Sequence, residues 1–270
     1  MRKPVPDELL DMCVSLVSGA AELVRGARRA GMSVGTKSTA TDLVTDVDTR
    51  CEQWLREQIL TRRPDDAILG EEAAGSTGSS GVRWLVDPID GTVNFVLGIP
   101  LYAVSVAAEV DGEVVAGAVA NPVSGELFRA SRGGGAFCGD QRLAGPRVIP
   151  LERAVVATGF GYDARLRTGQ GAVAAQLLAR IADIRRLGCA ALDLCFLAAG
   201  RLDAYFESGL HVWDYAAGGL VVAEAGGVVS GLRGRAPSTR LYAAAGPALA
   251  PAFFGLLETL GADEAGTSLE

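Results

Sequence analysis

Residues 84–95, Trp84-Leu85-Val86-Asp87-Pro88-Ile89-Asp90-Gly91-Thr92-Val93-Asn94-Phe95, constrain this chain more than any other stretch. Three apolar residues lead straight into two carboxylates three positions apart, with Pro, Gly, Thr and Asn around them. A short apolar run bounded by turn formers reads as a buried strand, so Trp84 to Val86 predict its interior. Asp87 and Asp90 then fall at its carboxyl end. Two like charges this close repel and resist burial unless a cation is shared between them. Oxygen-only donors suit a hard cation such as Mg²⁺. Pro88 fixes one dihedral, and Gly91-Thr92 permits a tight turn whose amides can face an anion. The competing reading is an Asx-turn with solvated carboxylates; further acidic sites elsewhere in the chain favour the cation.

At 270 residues, 49% of them hydrophobic, there is ample material for a core. A net charge of −7 argues against non-specific nucleic-acid binding, which needs a basic surface. No apolar run reaches the ~18 residues of a membrane span, and the N-terminus lacks the apolar segment of a signal peptide. Cys13, Cys51, Cys138, Cys189 and Cys195 are odd in number with no Cys-x-x-Cys pair, which predicts a reduced, cytoplasmic setting. His211 is the one histidine. It leaves no His-rich zinc site and no Ser-His-Asp triad with its Gly-x-Ser-x-Gly elbow. Beside Trp213 it reads as a packing or hydrogen-bonding residue.

Helical spacing of Leu9, Cys13, Leu16, Val17, Ala20 and Val24 predicts a helix over 7–29. Residues 35–42 read as a polar loop. A second helix is predicted to open within Asp42–Asp48 and run to residue 58 or 60, with Asp46 or Asp48 as its cap. Three carboxylates and Thr45 within seven residues exceed what a cap needs. Ala67 to Gly70 reads as a short strand ending in Glu71 and Glu72, and residues 74–81 as a loop. Residues 101–110, 113–120 and 126–130 alternate as antiparallel strands. In the second half the pattern predicts strands at 154–158, 184–187, 204–207, 228–229 and 241–244. Its helices are 170–181, 188–200, 213–225 and 249–260. One domain over 1–270 is expected, with a soft division near 146–151. The N-terminal half carries most of the acidic sites.

Two phosphoryl-transfer signatures fail. In the Asp-x-Asp-Gly-Thr motif the first Asp is the nucleophile, and reading back from Asp90-Gly91-Thr92 places Pro88 there. Cys195 to Arg201 has Cys-x5-Arg spacing, but the residues between are an apolar helix interior rather than a phosphate cradle with a lowered thiol pKa.

Four motifs in order resemble the inositol monophosphatase family: Asp42-x-Val44-Thr45-x-x-Asp48, Gly70-Glu71-Glu72, Trp84 to Phe95, and Trp213-Asp214 through Glu224-Ala225-Gly226-Gly227. The likeness runs from about residue 5 to residue 260 and points to a bacterial-type member. It implies an α/β (α+β) fold, a layered α-β-α-β-α sandwich of the inositol monophosphatase and fructose-1,6-bisphosphatase type. It also implies a lithium-sensitive, Mg²⁺-dependent phosphomonoesterase, commonly a homodimer. Carried over, Glu71, Asp87, the Ile89 carbonyl, Asp90 and Asp214 would hold metal. Asp48, Glu71 and Thr92 would be catalytic, Asp48 and Thr92 orienting and deprotonating the attacking water. Ile89, Asp90, Gly91 and Thr92 would meet the phosphate side of the substrate, and Gly188, Cys189, Ala190, Glu207 and Asp214 its alcohol. Cys189 departs from the family's usual Ser or Thr; a thiol is a weak donor, so that contact is weakened or redirected. Lys37 would neutralise phosphate or order the metal-binding loop. Paired cations about 3.5–4 Å apart suit in-line displacement by water.

The resemblance implies myo-inositol 1-phosphate as substrate. Fructose 1,6-bisphosphate and histidinol phosphate are alternatives on the same fold. The Asp90-Gly91-Thr92-Val93-Asn94-Phe95 form leans away from the nucleotide-cleaving branch. Some relatives also bind the transcription machinery, a role independent of catalysis.

Overall fold

The computed structural model describes residues 6–30, 32–39 and 42–265. Helix α1 (Pro6–Ala30) and helix α2 (Asp46–Arg62) flank a small hairpin of β1 (Val34–Thr36) and β2 (Leu43–Thr45). A seven-stranded sheet follows: β3 (Ala67–Gly70), β4 (Val82–Asp90), β5 (Ala103–Val110), β6 (Glu113–Ala120), β7 (Leu127–Ser131), β8 (Gly135–Cys138) and β9 (Gln141–Arg142), side by side in chain order. Helix α3 (Thr92–Leu97) interrupts it after β4. All its pairings are antiparallel except β3 with β4.

The second half contributes β10 (Val155–Thr158), α4 (Ala164–Leu177), β11 (Asp183–Arg185), α5 (Ala190–Ala198), β12 (Ala204–Glu207), α6 (Val212–Glu224), β13 (Val228–Ser230), β14 (Tyr242–Ala245) and α7 (Ala250–Thr259). Its sheet runs β11-β10-β12-β14-β13, with β11, β10 and β12 parallel and the rest antiparallel.

Strand alternation sorts the side chains into three cores. On β4, Trp84 and Val86 face α1 and α2, whereas Leu85 faces α5 and α6. On β12, Tyr205 joins that middle core, and Ala204 and Phe206 pack outward beneath α4 and α7. The layers are therefore α1/α2, the large sheet, α5/α6, the small sheet and α4/α7, the five-layer order expected. Small residues thin the middle layer. A Cβ on Gly117 of β6 would stand 2.9 Å from the Cα of Ala217 on α6.

Some elements differ from the sequence reading. Leu43 to Thr45 pair with Val34 to Thr36 instead of opening α2. Thr45, not an aspartate, caps that helix: its Oγ1 accepts from the amides of Val47 and Asp48. Helix α4 begins six residues earlier than its periodicity suggested, because Asp163 caps it by accepting from the Arg165 amide at 2.7 Å. After Gly91 the expected turn continues as α3.

Candidate active site

Asp87 and Asp90 lie three apart, so a regular strand would send them to opposite faces. The ladder prevents this: Asp87 pairs with Ser105 but Asp90 with Ala103, so β4 has one more residue than β5 between those pairs. This β-bulge at Pro88-Ile89 re-aims the chain, and both aspartates line one cleft of ≈ 710 Å³. Glu71, just beyond β3, and Asp214, in the first turn of α6, line it too. The bulge also leaves the Ile89 carbonyl 3.0 Å from Thr92 Oγ1, as one of two acceptors within reach of that hydroxyl's single proton.

The acidic wall is short of positive charge. Burial first, then the carboxylates of Glu71, Asp90 and Asp214, pushes Asp87 well above the usual carboxylate range. Asp90 is pushed up to about 7, again chiefly by burial. Its Oδ2 accepts from the Ala191 amide at 2.6 Å and the Cys189 thiol at 3.2 Å. Asp214 is raised by burial and by Asp90 and Glu71, although the His211 amide donates to its Oδ2 at 2.7 Å. Lys37 donates to Glu71 at 2.7 Å and to Glu72 at 2.5 Å, so its ammonium sits on the rim of the acidic wall.

The donors fit a hard divalent cation in kind. Glu71, Asp87, Asp90, Asp214 and the Ile89 carbonyl offer only oxygen, and their crowding is what such an ion relieves. Among the described residues, though, no three acidic, thiol or imidazole groups form a ready-made ion cage.

Asp48 is buried and reaches the cleft through Thr92, whose Oγ1 donates to its Oδ1 at 3.1 Å. The other oxygen, Oδ2, accepts from the Thr45 amide at 2.8 Å and the Thr45 hydroxyl at 2.5 Å. Burial raises the Asp48 pKa; the donors from Thr45 and Thr92 oppose it. Gly91 takes a left-handed conformation, φ 91°, where a Cβ would be 3.0 Å from the Gly188 carbonyl.

Gly91, Thr92, Gly188, Ala190 and Glu207 all line the cleft. Cys189 does not; its thiol donates to Asp90 Oδ2 instead. Glu207 accepts from the Tyr205 hydroxyl at 2.7 Å. His211 is exposed at the cleft, where its ring stacks on that of Trp213, centroids 4.8 Å apart.

Sequence reasoning missed one wall. Phe160, Tyr162 and Asp163 from the segment after β10, with Arg186 and Ser208, also line the cleft. The only signal was Gly159-Phe160-Gly161, glycines flanking an aromatic just past a strand.

A sequence profile described as the inositol monophosphatase family matches residues 5–262. The chain is 46% identical over 275 residues to a Mycobacterium leprae protein named inositol-1-monophosphatase, covering 94% of each. A Pasteurella multocida protein named Nus factor SuhB is 42% identical over 224 residues, 78% of this chain and 84% of that one. The solved Mycobacterium tuberculosis SuhB superposes with a TM-score of 0.82 at 42% identity, covering 96% of this chain and 99% of that one. By profile, relatives and fold together, this chain belongs to the inositol monophosphatase family.

Proposed function

We propose that the cleft hydrolyses myo-inositol 1-phosphate to inositol and phosphate, with Mg²⁺ as cofactor and water as nucleophile. The observation that carries the reading is the bulge at Pro88-Ile89. It gathers Asp87 and Asp90 with Glu71 and Asp214 in one cleft, beside the Thr92–Asp48 pair. Bound there, Mg²⁺ would neutralise phosphoryl charge and acidify a water. When Thr92 directs its one hydroxyl proton to Asp48 rather than to the Ile89 carbonyl, its oxygen is free to accept from a water in the cleft. Asp48, with a raised pKa, is then the terminal proton acceptor. Gly91 and Thr92 present backbone amides on the phosphate side. Glu207 offers a carboxylate to hydroxyls of the leaving alcohol.

The test is phosphate release from inositol 1-phosphate, fructose 1,6-bisphosphate and histidinol phosphate with Mg²⁺, with and without Li⁺. Inositol 1-phosphate should be preferred and Li⁺ should inhibit. A clear preference for histidinol phosphate would replace the substrate named here. Asp87→Asn should lower kcat/KM by about 100-fold or more; full activity in that variant would refute the metal assignment. Light scattering tests the homodimer that goes with this reading.

The name Nus factor SuhB on a relative 42% identical favours a second reading, a protein partner in the transcription machinery. Affinity purification from cell extract tests it; failure to recover RNA polymerase subunits would count against it.

A further inference from the structure

Strands β10 and β12 are parallel neighbours, so the segments that follow them leave the same end of the small sheet. Gly159 to Asp163 and Glu207 to His211 together form one wall of the cleft, of which sequence reasoning had named Glu207 alone as a site residue. They pass close: a Cβ on Gly159 would fall 2.0 Å from Glu207 Oε1. Both are glycine-bearing, and Gly209 has φ 94°, so neither holds its shape by backbone stiffness alone. Arg167 of α4 grips the first segment only, donating to the carbonyls of Gly161 at 3.2 Å and Tyr162 at 2.7 Å. Gln170, one turn further along α4 and 6% exposed, reaches both. Its Oε1 accepts from the Gly161 amide at 2.9 Å. Its Nε2 donates to the Ser208 carbonyl at 3.1 Å and the Ser208 hydroxyl at 2.8 Å.

We propose that Gln170 is a positioning residue that sets the gap between these two segments, and so the size and fit of the alcohol the cleft accepts. Gln170 does not itself line that cleft. A buried amide with both ends bonded is rigid, and an apolar substitute leaves the half-buried Gly161 N–H and the buried Ser208 carbonyl without this partner. Glu207, the hydroxyl acceptor, is the residue before Ser208, and Phe160 and Tyr162 flank Gly161. Loosening the tie would therefore disturb the alcohol contacts first; the second segment meets the acidic wall at its far end, where the His211 amide donates to Asp214 Oδ2. The inference rests on the phosphatase reading for its catalytic consequence, but not for the tie itself.

The experiment compares Gln170→Leu with the unchanged full chain on inositol 1-phosphate and on ethyl phosphate, whose alcohol is too small to reach that wall. The KM for inositol 1-phosphate should rise about tenfold. Its kcat, and both constants for ethyl phosphate, should stay within about twofold. Gln170→Glu keeps the acceptor for Gly161 but loses both donations to Ser208, and should fall between. Hydrogen exchange supplies a readout independent of catalysis. Gln170→Leu should speed exchange in both segments, and Arg167→Ala only in 159–163. Equal KM changes for the two substrates, or faster exchange confined to 159–163 in Gln170→Leu, would overturn the proposal. If Gln170→Leu does not fold, Gln170→Glu, which keeps one of the three bonds, is read the same way with a smaller effect. If the unchanged chain hydrolyses neither substrate, the phosphatase reading falls, and the exchange pattern still decides the tie.

Discussion

Three donors converge on the buried Asp48 carboxylate: the Thr45 amide, the Thr45 hydroxyl and the Thr92 hydroxyl. One residue thus closes the capping box of α2 and anchors the water-facing threonine. The two duties separate by substitution. Asp48→Asn preserves shape but cannot take the proton, so kcat should fall by about 10²–10⁴ with KM little changed. Thr45→Val removes the cap and should cost about 1 kcal/mol in urea unfolding, with a smaller loss of kcat. Glu52 plays the corresponding part for Glu71. Buried on α2, it accepts from the amides of Glu72 at 2.7 Å and Ala73 at 3.1 Å and from Arg56 at 2.7 Å. A Cβ on Gly70 would overlap that carboxylate, at 2.5 Å. Glu52→Ala frees the turn that presents Glu71. The Mg²⁺ concentration for half-maximal activity should rise by about 10–100-fold, read from a metal titration of the rate.

Among the elements, α6 couples core to cleft. Its first turn supplies Asp214, and its middle rests on β6 through Gly117 and Ala217. Gly117→Ala inserts a methyl where the backbone is already 2.9 Å away. It should cost about 1–3 kcal/mol by denaturant unfolding, and the displaced helix should weaken activity as well. The pattern of apolar residues made α1 legible because it buries one face at helical spacing, whereas β5 and α6, buried between layers, showed as apolar runs. The pattern was silent where burial is not the organising force. The β1–β2 hairpin is largely exposed, so no alternation marked it. The bulge in β4 is a property of register between two strands, which no single run of residues records. The carboxylates of the site stood out as acidic residues abutting apolar runs. Phe160, Tyr162 and Ser208 carried no charge to draw attention, and only the pairing of β10 with β12 brings them to the cleft. Rejection of the cysteine-phosphatase spacing agrees with the structure. Cys195 is buried in α5 with its thiol pKa raised by burial, and Arg201 lies over the Phe196 ring, 4.9 Å from its centroid.

In the whole molecule, three apolar cores support one acidic cleft in a chain whose net charge is −7. Folding concentrates Asp87, Asp90 and Asp214 at one cleft, and burial raises all three pKa values. A carboxyl group with a raised folded pKa holds its proton in the folded chain at pH values where the unfolded chain has lost it. The folded state then binds more protons, so stability falls as pH rises. For Asp90 the window opens near the ordinary Asp value of about 4 and closes at about 7. In chelator, thermal unfolding should therefore occur at a lower temperature at about pH 8 than at about pH 5. A divalent cation competes with those protons and binds the folded chain, so excess Mg²⁺ should raise Tm. The gain should be larger at the higher pH, where no proton need be displaced. Calorimetry at both pH values, with chelator and with Mg²⁺, measures the four temperatures needed. A Mg²⁺ gain independent of pH would mean that these carboxylates are not where the ion binds.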